Sequence, residues 1–288
     1  MTEYSPLDKT SFEMIYNSFV TAFSDYFVAM TFSPDSFRGM NVMRGVDSSA
    51  SLGAFEDGGL IGFTLNGVGQ WNGRLTAYDA GTAVFKDFRG RGISKEMFRR
   101  LLPLLKGRGI ERYLLEVITA NEGAFKLYRG LGFNVTRRFV CMKYKPGALR
   151  ASVGTDARIM DVPARDWPSL RADMEKDSAF LPSWQNSWDS VLRLPGNFTV
   201  KAVYCGDQLA GYGIVARASG SIPQLWVKSV YRRAGFGSVL LRALSASAQT
   251  GGALSWVNVD EKAAGTIGFL EASGFERGLS QYEMEMGI

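Results

Sequence analysis

The chain has 288 residues, a formal net charge of +5, two cysteines and no histidine. Without imidazole there is no Ser-His-Asp triad, no Cys-His pair, no HExxH zinc helix and no histidine-based iron site, so acid–base chemistry falls to carboxylates, tyrosine, lysine, cysteine or the backbone. The length fits one large domain or two ordinary ones, and 46% hydrophobic with 21% charged residues is the profile of a soluble globular protein.

The start, Met1-Thr2-Glu3-Tyr4-Ser5, lacks the basic and apolar regions of a signal peptide, and no apolar run approaches the length of a membrane span. Residues 11–30 read as an amphipathic helix with Phe12, Ile15, Tyr16, Phe19 and Phe23 on one face. Residues 51–65 read as a hairpin turning at Asp57-Gly58-Gly59, and a further strand is expected near 75–86. An Arg/Gly-rich turn follows, then a helix with Ile93, Met97, Leu101, Leu104 and Leu105 on its apolar face. A strand at 113–118, a short helix ending at Gly132-Phe133 and a last strand at 138–143 complete the pattern.

The same plan then repeats. Residues 164–194 carry weaker helical signals broken by Pro168, Pro182 and Pro195. A hairpin at 199–215, a strand near 222–230, the turn Tyr231-Arg232-Arg233-Ala234-Gly235-Phe236-Gly237, a helix with Val239, Leu240, Ala243 and Leu244, and strands at 254–259 and 281–286 follow. The expected fold is therefore α/β of the α+β kind: two domains, 1–148 and 155–288, each a mixed, mostly antiparallel sheet flanked by helices. The stretch 146–155, rich in Pro, Gly, Ser and Ala, is the expected linker.

Charge is unevenly divided. Up to Arg150 there are 20 Lys and Arg against 14 Asp and Glu, and from Ala151 onward 13 against 14. The basic half is expected to meet a polyanion. No basic stretch is interleaved with stacking aromatics, so no nucleic-acid partner is expected, and a phosphorylated cosubstrate fits better. Cys141 and Cys205 have no CxxC spacing, and a reducing, cytoplasmic setting is expected.

The turn Arg89-Gly90-Arg91-Gly92-Ile93-Ser94 joins a strand to a helix. Glycines let the backbone approach a ligand with its N–H groups inward, and the helix start adds positive potential, which together suit a diphosphate. The alternative is a turn shaped only for tight strand–helix packing. Downstream, Asn121 is placed as a helix N-cap, and Ala124 and Tyr128 share a face one turn apart.

Arg89-x-x-Gly92-x-Ser94 resembles the Q/R-x-x-G-x-G/A acetyl-coenzyme A motif of the GNAT superfamily of N-acetyltransferases, with Ser94 where the family prefers Gly or Ala. Asn121-x-x-Ala124-x-x-x-Tyr128-x-x-x-Gly132-Phe133 resembles that family's second signature, in the family's order. The resemblance covers about 50–143. It implies a sheet splayed between its fourth and fifth strands, with acetyl-coenzyme A as cosubstrate in the gap. Arg91, Gly92, Ile93, Ser94 and Lys95 would hold the diphosphate, with Arg89 and Gly90 opening the loop. Val84 and Phe85 would bond the pantetheine through their backbones, Asn121 would touch the cofactor's arm, and Tyr128 would reach its sulfur. The implied reaction is direct acetyl transfer to an amine acceptor, a small molecule or a protein N-terminus.

For the base, Glu116 lies 12 residues before Tyr128. That spacing is similar to the one in the acetyltransferases of ribosomal-protein N-termini, where a glutamate has this role. Asp79 and ordered water are the rivals, and a purely structural carboxylate is the alternative. Phe23, Asp25, Tyr26, Phe27 and Met30 are the expected acceptor wall, with Asp25 facing a cationic amine; an ordinary core with Asp25 at the surface is the alternative. In the second copy Arg232-x-x-Gly235-x-Gly237 keeps the first motif, but Leu270 stands at the Tyr128 position and Asn258 at that of Glu116, so this copy is expected to be degenerate. A non-catalytic coenzyme A-binding scaffold is the alternative to an enzyme. Oligomeric state is left open.

Overall fold

The computed structural model describes residues 1–26, 32–145, 147, 157–177 and 181–288. The expected linker, 146–155, falls almost wholly outside them, as do Phe27 and Met30.

In chain order the first elements are β1 (Glu3–Pro6), α1 (Phe12–Ala22), α2 (Pro34–Arg44), β2 (Leu52–Glu56), β3 (Gly59–Trp71), β4 (Arg74–Val84), α3 (Ile93–Gly107), β5 (Arg112–Ile118), α4 (Glu122–Gly130) and β6 (Asn134–Tyr144). Then come β7 (Ala157–Asp161), α5 (Trp167–Asp177), α6 (Trp188–Arg193), β8 (Phe198–Cys205), β9 (Gln208–Ala216), β10 (Gln224–Val227), α7 (Phe236–Ser247), β11 (Leu254–Asp260), α8 (Ala264–Ala272) and β12 (Phe275–Gly287). No helix among the described residues is long and apolar enough to cross a membrane.

The chain forms two compact units, and their membership is not sequential. Unit 1 is Met1–Arg137 together with Tyr282–Ile288, and unit 2 is Arg138–Gln281. The sequence suggested that each copy closes with its own last strand. Instead, the end of β12 enters unit 1, between β5 and the start of β6, while the rest of β6 pairs with β11 in unit 2.

In unit 1 the sheet runs β1-β2-β3-β4-β5, then the end of β12, then the start of β6. Pairs from β1 through β4 are antiparallel, whereas β4 and β5 are parallel, so the sheet is mixed as expected. Its core lies under α3, where Ile93, Met97, Phe98, Leu101 and Leu105 are buried. Tyr128, Phe133 and Met284 join this cluster, with Met286 and Ile288 packed against it.

The helix expected over 11–30 is shorter. Ser11 caps α1 by accepting from the Met14 N–H, and the helix ends at Phe23. A second helix, absent from the sequence reading, begins with Ser33 as cap and Pro34 at its first position. It ends at Gly45, whose φ of 71° is left-handed. The next residue, Val46, bridges to Gly67 of β3. A Cβ on Gly67 would lie 2.0 Å from the Arg44 carbonyl oxygen, so only glycine lets the end of α2 rest on the sheet.

Unit 2 contains the antiparallel sheet β10-β9-β8-β7. Residues 139–144 of β6 pair antiparallel with β11, from Tyr144 opposite Leu254 to Phe139 opposite Asp260. Its cores gather Val140, Met142, Leu241, Leu244 and Trp256 in one cluster and Val203, Phe236 and Leu240 in another.

Candidate active site at the fork of unit 1

The parallel pairing of β4 and β5 covers only Thr76–Tyr78 against Arg112–Leu114. Beyond Tyr78 the strands continue to Val84 and Ile118 without pairing, so the sheet opens as a fork. A bulge in β4 accompanies the opening: the β3–β4 register shifts between Leu65 opposite Gly81 and Asn66 opposite Asp79. Bulges bend a strand and re-aim its side chains. The extra residue, Ala80, has its carbonyl held by Arg44 of α2 at 2.6 Å.

Two carboxyls sit at the crotch of this fork. Asp79 accepts from the Gly81 N–H at 2.9 Å, the Thr82 hydroxyl at 2.8 Å and the Tyr128 phenol at 3.1 Å. Burial nevertheless pushes it up to about 6, because three hydrogen bonds do not replace the lost hydration of the charge. Glu116 on β5 accepts from the Tyr78 phenol through Oε2, while its buried Oε1 has no hydrogen-bond partner. Burial, opposed by the Tyr78 bond, pushes this carboxyl up to about 7. The phenol of Tyr128 is buried among Phe98 and Phe133, and burial with the neighbouring Asp79 charge holds it well above its ordinary value. It is therefore a neutral donor at any ordinary pH.

The mouth of the fork carries the glycine-rich turn. Gly90 and Gly92 have φ of 79° and 76°, with open space where a Cβ would stand. Conformation, not crowding, demands glycine there. Gly92 caps α3 without a side-chain bond, and the first backbone bond it receives comes from Glu96. The N–H groups of Ile93, Ser94 and Lys95 thus precede the helical ladder and point out of the helix start. This cradle fits a diphosphate.

The side chains of both arginines of this loop are engaged within the protein. Arg89 donates from Nε to the Val84 carbonyl at 3.0 Å, and its two terminal nitrogens grip Asp25 at 2.7 and 2.8 Å. Its head ties the loop to the end of β4 and to the segment after α1. Asp25 is correspondingly committed to Arg89. Arg91 reaches the Asp87 carbonyl at 3.0 Å and lies over the Phe88 ring.

Phe85 is also otherwise engaged: its N–H donates to the Ile61 carbonyl and its own carbonyl accepts from Phe88. Its N–H is thus spent within the protein, and the second lone pair of its carbonyl is what it keeps for a ligand. With Phe85 and Ile61 a hydrogen-bonded pair, Val84 opposite Gly62 turns its amide groups away from β3, toward the fork. Asn121 caps α4 by accepting from the Ala124 N–H at 3.1 Å, and it also hydrogen-bonds the half-buried Tyr26.

Sequence reasoning singled out Glu116, Asp79 and Tyr128, and the fold gathers them at the fork. It missed Tyr78 and Arg44. The signal for Tyr78 was its adjacency to Asp79 on a strand facing β5; nothing in the sequence pointed to Arg44.

Unit 2 repeats the clamp. Arg232 donates from Nε to the Val227 carbonyl at 3.0 Å and pairs with Asp177 at 3.6 Å, as Arg89 does with Val84 and Asp25. The position of Gly90 is taken by Arg233, a non-glycine residue at φ 67°. Asn186 stands between β10 and β11, donating to the Val257 carbonyl at 2.6 Å and accepting from Gln224 at 2.8 Å. Asn258 bonds to Ser183 and Gln281.

The sequence profile of the acetyltransferase (GNAT) family matches residues 12–133 and 158–275. The chain belongs to the GNAT acetyltransferase family. It is 34% identical over 85 residues to the N-alpha-acetyltransferase MAK3 of Arabidopsis thaliana, covering 30% of this chain and 45% of that protein. It is 37% identical over 59 residues to N-alpha-acetyltransferase 30 of Schizosaccharomyces pombe, covering 20% and 39%. The chain thus spans less than half the length of these relatives. Two solved structures resemble it end to end: a tandem GNAT protein from the clavulanic acid biosynthesis pathway and a GCN5-related N-acetyltransferase from Sphaerobacter thermophilus. Each has a TM-score of 0.74, at 14% and 13% identity, with 100% and 99% of this chain and 98% and 95% of the other covered. The chain therefore carries the family's fold twice.

Proposed function

We propose that unit 1 transfers the acetyl group of acetyl-coenzyme A directly to an amine, and that unit 2 has no turnover of its own. The observation that carries this reading is the fork: where β4 and β5 part beyond Tyr78, a buried, neutral Tyr128 phenol is bonded to Asp79 of β4 and a carboxyl lifted to about 7 stands on β5 at Glu116, with a glycine-rich cradle before α3. Acetyl-coenzyme A supplies the thioester carbonyl and a thiolate leaving group.

The N–H groups of Ile93, Ser94 and Lys95, with the glycine turns at 90 and 92, would hold the diphosphate. The Val84 N–H would bond the arm lying along β4. Glu116, ionised in about half of the molecules near neutral pH, would take the proton from the amine, directly or through one water. Tyr128 would pass its proton to the leaving sulfur. Asp79 holds the phenol in place, and in its protonated form it would hand its own proton to the Tyr128 oxygen as that phenol protonates the sulfur, so that the charge ends on the carboxylate.

In unit 2, Leu270 and Asn258 stand where Tyr128 and Glu116 do in unit 1, and neither can exchange a proton. The N-alpha-acetyltransferase relatives make a peptide N-terminus the first acceptor class to try.

The test is release of free thiol from acetyl-coenzyme A over a panel of small amines, polyamines and N-terminal peptides. Turnover with some amine that collapses in Tyr128→Phe supports the reading. Turnover that survives in Tyr128→Phe, or that is lost on changing Arg232 and Gly235 instead, refutes it.

A further inference from the structure

Groups on four elements of unit 1 act on Glu116, one phenol and three charges. Tyr78 reaches it from β4 and Arg44 from α2, while Arg137 stands on β6 and Glu283 on the end of β12. Asp79, next along β4, is turned to Gly81, Thr82 and Tyr128 instead.

The Glu283–Arg137 pair is built, not incidental. Glu283 is 4% exposed, and its carboxylate takes Arg137 from both sides, Oε2 from Nε at 2.7 Å and Oε1 from the terminal nitrogen at 2.5 Å. The Thr136 hydroxyl adds a bond to Oε2 at 2.8 Å. The strand that delivers Glu283 is anchored throughout. Tyr282 packs on Phe125 of α4, and Met284 is in the core with Tyr128. Glu285 pairs with Arg112, and the Ile288 N–H donates to the Glu111 carbonyl at the foot of β5. In the sheet this strand is the neighbour of β5, which carries Glu116.

We propose that Glu283 and Arg137 are positioning residues that set the protonation of Glu116, so that the last seven residues of the chain belong to the catalytic machinery of unit 1. This rests on the reading of Glu116 as the base. The physical reason is charge balance in a dry site. A lone Arg137 beside Glu116 would stabilise its carboxylate and make it a weak base. Glu283 binds that cation through two hydrogen bonds and adds a like charge of its own. The two act on Glu116 in opposite senses, Glu283 upward and Arg137 downward, with Glu283 the stronger. The carboxyl is left with one bare oxygen and a readiness to accept a proton near neutral pH.

The test uses the full-length protein and three variants, Glu283→Gln, the double Arg137→Gln/Glu283→Gln, and Glu116→Gln as reference. The protonation midpoint of Glu116 is read by infrared difference titration against Glu116→Gln, beside the pH dependence of kcat/KM. Glu283→Gln is expected to lower the Glu116 midpoint by about 1 pH unit, with the acidic limb of kcat/KM moving the same way. The double variant is expected to lie between Glu283→Gln and the wild type, a recovery that mere loss of packing would not give. A midpoint unchanged in Glu283→Gln overturns the proposal. Breaking a buried ion pair can unfold a protein, whereas removing both partners is far better tolerated. If Glu283→Gln does not fold, the double variant decides, and a midpoint at or above the wild type overturns the idea. Failure of the base reading is separately visible, as an acidic limb that persists in Glu116→Gln.

Discussion

Glu116 and Asp79 carry their protons to unusually high pH for the same reason, burial, but they have different partners and different tasks. Tyr78 holds one oxygen of Glu116 and leaves the other bare, whereas Asp79 is fully bonded and engages Tyr128. Turnover by Tyr128→Phe should fall on the order of 10²-fold or more, the usual worth of a positioned proton donor. Coenzyme A affinity should barely change, as calorimetry would record. The same burial makes a stability prediction with a definite sign. The folded values, about 7 and about 6, lie above the ordinary 4.5 and 3.8, so the folded state binds more protons than the unfolded one between them. Their contribution to stability is complete below pH 4 or so and is lost as pH rises through roughly 6 to 7. The thermal midpoint should therefore decline between about pH 5 and pH 8, and less steeply in Glu116→Gln; an equal decline in both would assign it to other groups.

Among the elements, the loop before α3 and the end of α2 carry the tightest demands. Ala at Gly92 must adopt a left-handed conformation at a cost of about 1 to 2 kcal/mol. Gly92→Ala should weaken coenzyme A binding while leaving turnover at saturation nearly intact. At Gly67 the demand is space: a methyl there meets the Arg44 carbonyl, and overpacking of this kind costs about 1 to 3 kcal/mol. Gly67→Ala should lower the thermal midpoint by several degrees, and it should also raise KM for the amine, since Arg44 and the Ala80 carbonyl move with α2. The α3 face was legible from its spacing, with Phe98 buried where Leu104 was expected. Helix α2 was not, although Ser33-Pro34 and Gly45 mark its ends, because its interior carries little amphipathic pattern. The role of Arg89 was hidden too. A motif states that an arginine is present, not that Asp25 will claim it.

For the whole molecule, the decisive fact is where the last strand goes. Removal of Tyr282–Ile288 would take Met284, Met286 and Ile288 from the core that seats Tyr128. Deleting these residues should abolish coenzyme A binding by unit 1 and open Met1–Arg137 to protease, although the motifs lie more than a hundred residues upstream. Full binding by the truncated chain would show that unit 1 closes without its final strand.

What the sequence by itself determined was local: helix faces from apolar spacing, turns from glycine, the repeat, the two signatures, and the exclusion of imidazole chemistry. These follow from a residue and its near neighbours, because side-chain periodicity and left-handed turns are short-range properties. Only the tertiary structure decided which strand closes which unit, that Arg89 is spent on Asp25 and Val84, and that the strand carrying Glu283, the partner of Arg137, lies beside that of Glu116. Strand pairing runs through backbone N–H and C=O groups that every residue shares, so a strand does not name its partner. The proton affinity of a buried carboxyl is likewise set by whatever charges the fold brings to it, and here one of them comes from the far end of the chain.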